Sequence, residues 1–283
     1  MLGALVVPSL IYSILVIGVP ESPRWLLTNR KDDGKAKKIL SKLGIVNADE
    51  EIGVIMASHR HQTTSGQAPK MFSAKYSTIL WLAFMIAFFN QVSGINFILY
   101  YAPEILERAG LAAKDSLFNS IALGGTNLVF TFVGLYLIDR LGRKTLLVIG
   151  SLGYIVSLGM VAWSFYSGAG AGFLMSFLLL FIAAHAIGQG AVIWVFISEI
   201  FPNNIRAMGQ SFGASVHWVF AALITLITPV FLDAENGIFK DNPWPIFAFF
   251  GFMMLLQLIW VLLKVPETKG ISLEDLQKKL VSN

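Results

Sequence analysis

The chain has 283 residues, of which 55% are hydrophobic and only 13% charged, whereas a soluble domain carries about 25% charged residues. With 25 Gly and 22 Phe, this is the composition of membrane helices, and it leaves too little polar surface to cover a globule in water. The net charge of +4 does not indicate nucleic acid as a partner, because the basic residues fill gaps between apolar runs instead of forming one face.

A spanning helix needs about 20 mostly apolar residues. Seven segments qualify in chain order: 2–19, 76–103, 115–138, 144–167, 172–198, 209–232 and 243–264. The first has neither a basic leader nor a small-residue cleavage site, so it is expected to be a spanning helix and not a signal peptide. Backbone polar groups in lipid must find partners within their own segment, so the expected fold is an all-α polytopic membrane protein with seven transmembrane helices.

The polar linker from Glu21 to Lys75 is expected to hold a basic amphipathic helix over Lys35–Leu43 and a second short helix over Asp49–Met56. His59–Pro69 reads as flexible connection. The resulting division is a helix at 1–19, a cytoplasmic helical linker at 20–75, a six-helix bundle at 76–264 and a cytoplasmic tail at 265–283.

Loops on alternate sides differ sharply in charge. Residues 20–75, 139–144, 199–208 and the stretch from 264 onward hold 18 of the 21 Lys and Arg residues, and the opposite loops hold only Arg108, Lys114 and Lys240. The positive-inside bias therefore places the basic loops and the C-terminus in the cytoplasm, with the plasma (inner) membrane as the expected location.

Cysteine is absent, which excludes disulfides and thiolate metal sites. No carboxylate joins the four histidines at a metal-ligand spacing, so neither a metal nor an organic cofactor is expected. No Ser/His/Asp or paired-carboxylate set and no phosphate-cradling glycine loop is present, which argues against an enzyme.

Four motifs carry a resemblance: Pro20-Glu21-Ser22-Pro23-Arg24-Trp25; Gln91-Val92-Ser93-Gly94-Ile95-Asn96 followed by Tyr100-Tyr101 and Pro103; Asp139-Arg140-Leu141-Gly142-Arg143-Lys144; and Pro266-Glu267-Thr268-Lys269-Gly270. In this order and spacing the chain resembles the sugar porter family of the major facilitator superfamily, across essentially its whole length. The resemblance implies part of a twelve-helix fold, with segment one similar to the sixth helix and segments two to seven similar to helices seven to twelve. The partner it implies is the N-terminal half of the same transporter.

Residue chemistry points the same way. A hexose offers hydroxyls that donate and accept, plus apolar C–H faces, so neutral amides and flat aromatic rings suit it. Polar side chains at mid-depth in lipid are costly unless they face the bundle interior or a water-filled cavity. The resemblance matches Gln91, Asn96, Asn127, Trp194 and Trp218 to sugar contacts, and Tyr100 and Tyr101 to an extracellular gate. It also implies that Glu21, Arg24, Asp139, Arg140, Arg143, Glu199, Arg206 and Glu267 form cytoplasmic gate salt bridges. Three departures bear on substrate preference: Asn90-Gln91 replaces a Gln-Gln pair, His217 precedes Trp218 where an amide is usual, and Ala186 stands at a position acidic in glucose facilitators. Tyr136 and Trp260 read as membrane-interface belt residues.

The expected function is transport of a monosaccharide (hexose or pentose) by alternating access, as a uniporter or a proton symporter. A transporter-like sugar sensor is the alternative, disfavoured by the short run from Val265 to Asn283. Proton coupling stays open, because His185 and His217 are the only ionisable side chains at mid-depth in segments two to seven.

Overall fold

The computed structural model describes residues 6–64, 71–202, 204–233, 235–271, 276 and 280. All regular structure among them is helical. The chain divides into two compact units, Met1–Ala68 and Pro69–Asn283.

In the first unit, α1 (Val6–Ile17) is uniformly apolar. Six helices among the described residues are long and apolar enough to cross a membrane, and the described part of α1 is a further, shorter apolar helix. After α1, Ser22 caps α2 (Pro23–Trp25), with Pro23 at the first helical position, where its missing N–H costs nothing. A π turn, Leu26–Arg30, follows. Then come α3 (Asp33–Lys42), capped by Asp32 through the Lys35 N–H, and α4 (Ala48–Thr64). Leu26, Leu27, Ala36 and Ile39 form a small core with Ile52, Ile55 and Met56.

The second linker helix is longer than its sequence suggests, and His59–Thr64 continues it instead of beginning a flexible connection. Three acidic residues in its first turn favour the positive helix end, and no Gly or Pro interrupts the chain between Gly53 and Gly66. Residues 65–70 lie outside the described part.

In the second unit, α5 (Ser77–Val92), α6 (Ile95–Tyr100) and α7 (Ala102–Arg108) come from a stretch that reads as one span. They are followed by α8 (Ala113–Leu141), α9 (Arg143–Ser167) and α10 (Ala171–His185). A π segment, Ala186–Gly190, leads into α11 (Ala191–Ile200), and α12 (Arg206–Leu232) and α13 (Trp244–Lys264) complete the bundle. α13 packs on α9, α10 on α9, and α12 on α5. Trp260 is inside this bundle, 5.6 Å from the Phe89 ring, so it is a core residue and not part of an interface belt.

Two breaks in helical geometry place the polar residues. Gly94 sits between α5 and α6 with φ +83, the left-handed region that glycine adopts without penalty. A Cβ built there would lie 2.5 Å from the Phe250 ring, so both the turn and the packing require glycine. The freed backbone is satisfied locally: Ser93 Oγ donates to Asn90 O at 2.6 Å and accepts from Ile95 N at 3.3 Å. The π segment packs against α8 and α9, and such bulges gather at functional sites. Gly94→Ala should lower the melting temperature in detergent, costing about 1–2 kcal/mol for the backbone and about 1–3 kcal/mol for overpacking. Adding Phe250→Ala should restore only the packing part relative to Phe250→Ala alone; full restoration would mean the backbone conformation is not required.

Candidate functional site

At the Gly94 break, Asn90 and Gln91 are almost fully buried and Asn96 is half-buried. Gln91 Nε2 donates to Asn90 Oδ1 at 3.2 Å, and Asn96 Nδ2 donates to Gln91 Oε1 at 3.0 Å. Five residues of separation would point the two amides away from each other in a straight helix, where side chains three and four apart are the neighbours. The turn at Ser93-Gly94 brings them together.

His217 of α12 closes this group, with its ring nitrogens 3.1 and 3.0 Å from Gln91 Nε2. Its ring also contacts Trp194 of α11, centroids 5.0 Å apart, and Trp218, 5.1 Å apart. Both indoles keep open faces, 44% and 59% exposed. Polar amides thus lie beside uncovered aromatic surface. Asn127 of α8 is half-buried, and the hydrogen bonds that join Asn90, Gln91, Asn96 and His217 do not include it. Tyr100 is exposed, whereas Tyr101 packs near Phe97 and donates through its hydroxyl to Thr225 O at 3.3 Å.

Two further buried polar groups had little sequence signal. Tyr154 Oη lies 2.6 Å from His185 Nδ1, next to the π segment. Gln189, within that segment, is 1% exposed, and neither polar atom of its amide has a hydrogen-bond partner among the described residues. The flanking glycines of Gly188-Gln189-Gly190 are the one hint of it in the sequence.

A second cluster forms at the other end of the bundle. Arg143 binds Glu199 with two hydrogen bonds, 2.7 and 3.1 Å, and reaches Asp139 at 3.1 Å. Thr268 Oγ1 donates to Glu199 at 2.6 Å. The Glu267 carboxylate accepts from the backbone N–H groups of Arg143, Lys144, Thr268 and Lys269 at 2.9–3.1 Å. Arg143 and Lys144 open α9, so Glu267 caps that helix and neutralises its positive end. A side chain at Gly142 would collide with this carboxylate, its Cβ 2.6 Å from Oε2.

Other charged residues of the chain have contacts of their own. Arg140 lies over the Tyr136 ring at 4.0 Å and makes no ion pair among the described residues. Arg206 Nε donates to Phe201 O at 3.2 Å. Glu21 pairs within the first unit, with Lys35 at 2.6 Å and Arg30 at 3.9 Å, and the Lys35 hydrogen bond holds its carboxyl below the usual range. Arg24 lies on α2 of the same unit.

The sequence profile described as "Sugar (and other) transporter" matches residues 1–280. The chain belongs to this family. Among curated sugar transporters, it is 32% identical to the D-xylose-proton symporter of Escherichia coli K12, over 96% of this chain and 55% of that protein. It is 31% identical to the glucose transporter GlcP of Staphylococcus epidermidis, over 99% of this chain and 62% of that one. The solved E. coli xylose symporter XylE with bound 6-bromo-6-deoxy-D-glucose superposes with a TM-score of 0.79 at 31% identity, covering 97% of this chain and 57% of XylE. A double-tryptophan XylE variant gives 0.82 with the same coverage. The chain therefore spans little more than half the length of these relatives.

Burial raises the Glu267 carboxyl, and the four backbone donors outweigh that effect, so it titrates below its ordinary 4.5. A carboxylate with a depressed folded value adds stability above its unfolded value and loses it as pH falls through the folded one. Thermal stability should therefore drop below about pH 4.5, and Glu267→Gln should be less stable at neutral pH and lack that part of the acid sensitivity. Identical acid profiles for the two proteins would show that the cap carries no linked stability.

Proposed function

We propose that this chain forms one half of a carrier that moves a monosaccharide, hexose or pentose, across a membrane by alternating access, as a uniporter or a proton symporter. The observation that carries this is the joining of three amides to open indole faces at a break in a membrane helix. Each amide can donate and accept, as sugar hydroxyls require, and Trp194 and Trp218 can cover a ring's C–H face. The names of the relatives, which include xylose and glucose transporters, support the same substrate class.

The other wall of the site is supplied by a second helical bundle of the same transporter. In the most apolar windows of α8 and α12 only 17% of residues are buried, against 72% in the span containing α5 and α6. Those two helices thus offer broad uncovered faces. Tyr100, exposed beyond the amides, acts with Tyr101 as the gate on one side. The Arg143–Glu199–Glu267 cluster acts on the other side, holding the cytoplasmic ends of α9, α11 and the segment after α13 together while the site opens outward. An isolated exposed pair is worth about 0–1 kcal/mol, but a network made and broken as a unit biases a two-state motion. The basic loops face the cytoplasm, and the location is the plasma membrane.

Truncating Gln91 to Ala leaves sugar hydroxyls unpaired, at about 1–3 kcal/mol, or about 5- to 150-fold in affinity. Calorimetric titration of D-xylose and D-glucose into the carrier assembled with its second bundle should show that loss. Unchanged affinity for every sugar that binds the parent would remove α5 from the site. Orientation is checked separately in this cysteine-free chain: a cysteine at Lys269 in sealed right-side-out vesicles should resist an impermeant maleimide, and one at Asn236 should react. The reverse pattern would invert the topology.

A further inference from the structure

One member of the mid-membrane cluster changes its hydrogen-bonding character with a proton. Gln91 Nε2 lies about equally far from both ring nitrogens of His217. A neutral imidazole carries one N–H and one bare nitrogen, so Gln91 finds an acceptor in either tautomer. Its two N–H groups are then committed to His217 and Asn90 Oδ1, while its Oε1 accepts from Asn96 Nδ2. An imidazolium has two N–H groups and no acceptor. Facing it, Gln91 can present only Oε1, so its amide must turn over. Asn96 Nδ2 then meets N–H groups instead of an oxygen and Asn90 Oδ1 meets Oε1 instead of an N–H, so both of those amides must turn as well.

We propose that protonation of His217 reverses the hydrogen-bond polarity of the Gln91–Asn96 relay and so links a proton to sugar binding. The proposal rests on the sugar-site assignment above and deepens it. With His217 neutral, Gln91 has no free donor and one spare Oε1 lone pair, so it accepts from a sugar hydroxyl. With a proton added to the bare ring nitrogen, Oε1 turns to the histidine and an N–H becomes free, so Gln91 donates. The two protonation states therefore offer a sugar opposite patterns.

The surroundings leave this role to the histidine. α5 carries no titratable side chain, and α6 carries only Tyr100, followed by Tyr101 with its hydroxyl on Thr225 O. Glu199 of α11 is held by Arg143 and Thr268 in the cytoplasmic cluster, and Arg206 lies at the cytoplasmic start of α12 itself. His185, bonded to Tyr154, stands before the π segment. No carboxylate among the described residues forms an ion pair with His217.

The test uses this chain in lipid nanodiscs with nitrogen-15 in its Gln and His side chains, titrated without sugar by NMR. The Gln91 amide signals should move with the midpoint of the His217 ring. His217→Gln, or His217→Asn if the Gln variant does not fold, should abolish that movement, and His185→Gln should leave it. A static Gln91 while His217 titrates, movement that survives in the His217 variant, or a ring neutral wherever the protein stays folded would each overturn the proposal. D-xylose and D-glucose are then added to the carrier assembled with its second bundle. Sugar should move the His217 midpoint, and affinity should differ by about 5- to 150-fold between protonation states. A sugar that perturbs Gln91 without moving that midpoint overturns the proton link. One that perturbs neither overturns the sugar-site assignment instead.

Discussion

The constraint on which the structure depends is that hydrocarbon offers no hydrogen bonds. An unpartnered backbone group there costs several kcal/mol, so spanning segments are helical and any break must be repaired by nearby side chains. The chain breaks its helical geometry at mid-bundle at Ser93-Gly94 and in the π segment at Ala186–Gly190. Several buried polar residues gather at these points, Asn90, Gln91, Ser93 and Gln189 among them. Ser93 repairs the first break, Asn90, Gln91 and Asn96 surround it, and His185 and Gln189 belong to the second. Concentrating polarity where the ladder is already broken confines the cost of burying it to those two places.

The two clusters follow different physics. At the end of the bundle where α9 begins, charge is compensated by charge and by the positive end of that helix, an arrangement that fixes how helix ends meet. At the Gly94 break the described residues form no ion pair and bring together amides, an imidazole and indoles. Neutral groups are cheaper to desolvate than charges, and they suit a neutral, hydroxyl-rich solute. The ionic cluster and the neutral cluster thus lie apart in the bundle.

Most of the fold was legible, because a hydrocarbon solvent leaves long apolar runs one regular structure to adopt. Gly and Pro were poor guides to the loops, since Gly124, Gly125 and Pro229 lie inside helices, but Gly94 stood within a motif that drew notice to it. What could not be read was the consequence of that glycine: a kink that brings Gln91 and Asn96 into contact depends on the Phe250 ring filling the space a side chain would need, and Phe250 is 156 positions away in the chain. The same limit hid the burial of Trp260, whose place near a span end says nothing about which side faces Phe89. Local charge also misleads. Arg140 and Arg143 stand three apart in one motif, yet only Arg143 reaches Glu199, because Gly142 turns the chain and starts a new helix between them.

The claim at the centre of this account is that the amides at the Gly94 break and the indoles beside them bind a sugar. The most direct test is the structure of the assembled carrier with 6-bromo-6-deoxy-D-glucose, located by the anomalous scattering of its bromine. The account predicts a ring within hydrogen-bonding distance of Gln91 and Asn96, with its C–H face toward Trp194 or Trp218. A bound sugar elsewhere, with Gln91, Asn96 and His217 still bonded only to one another, would contradict it.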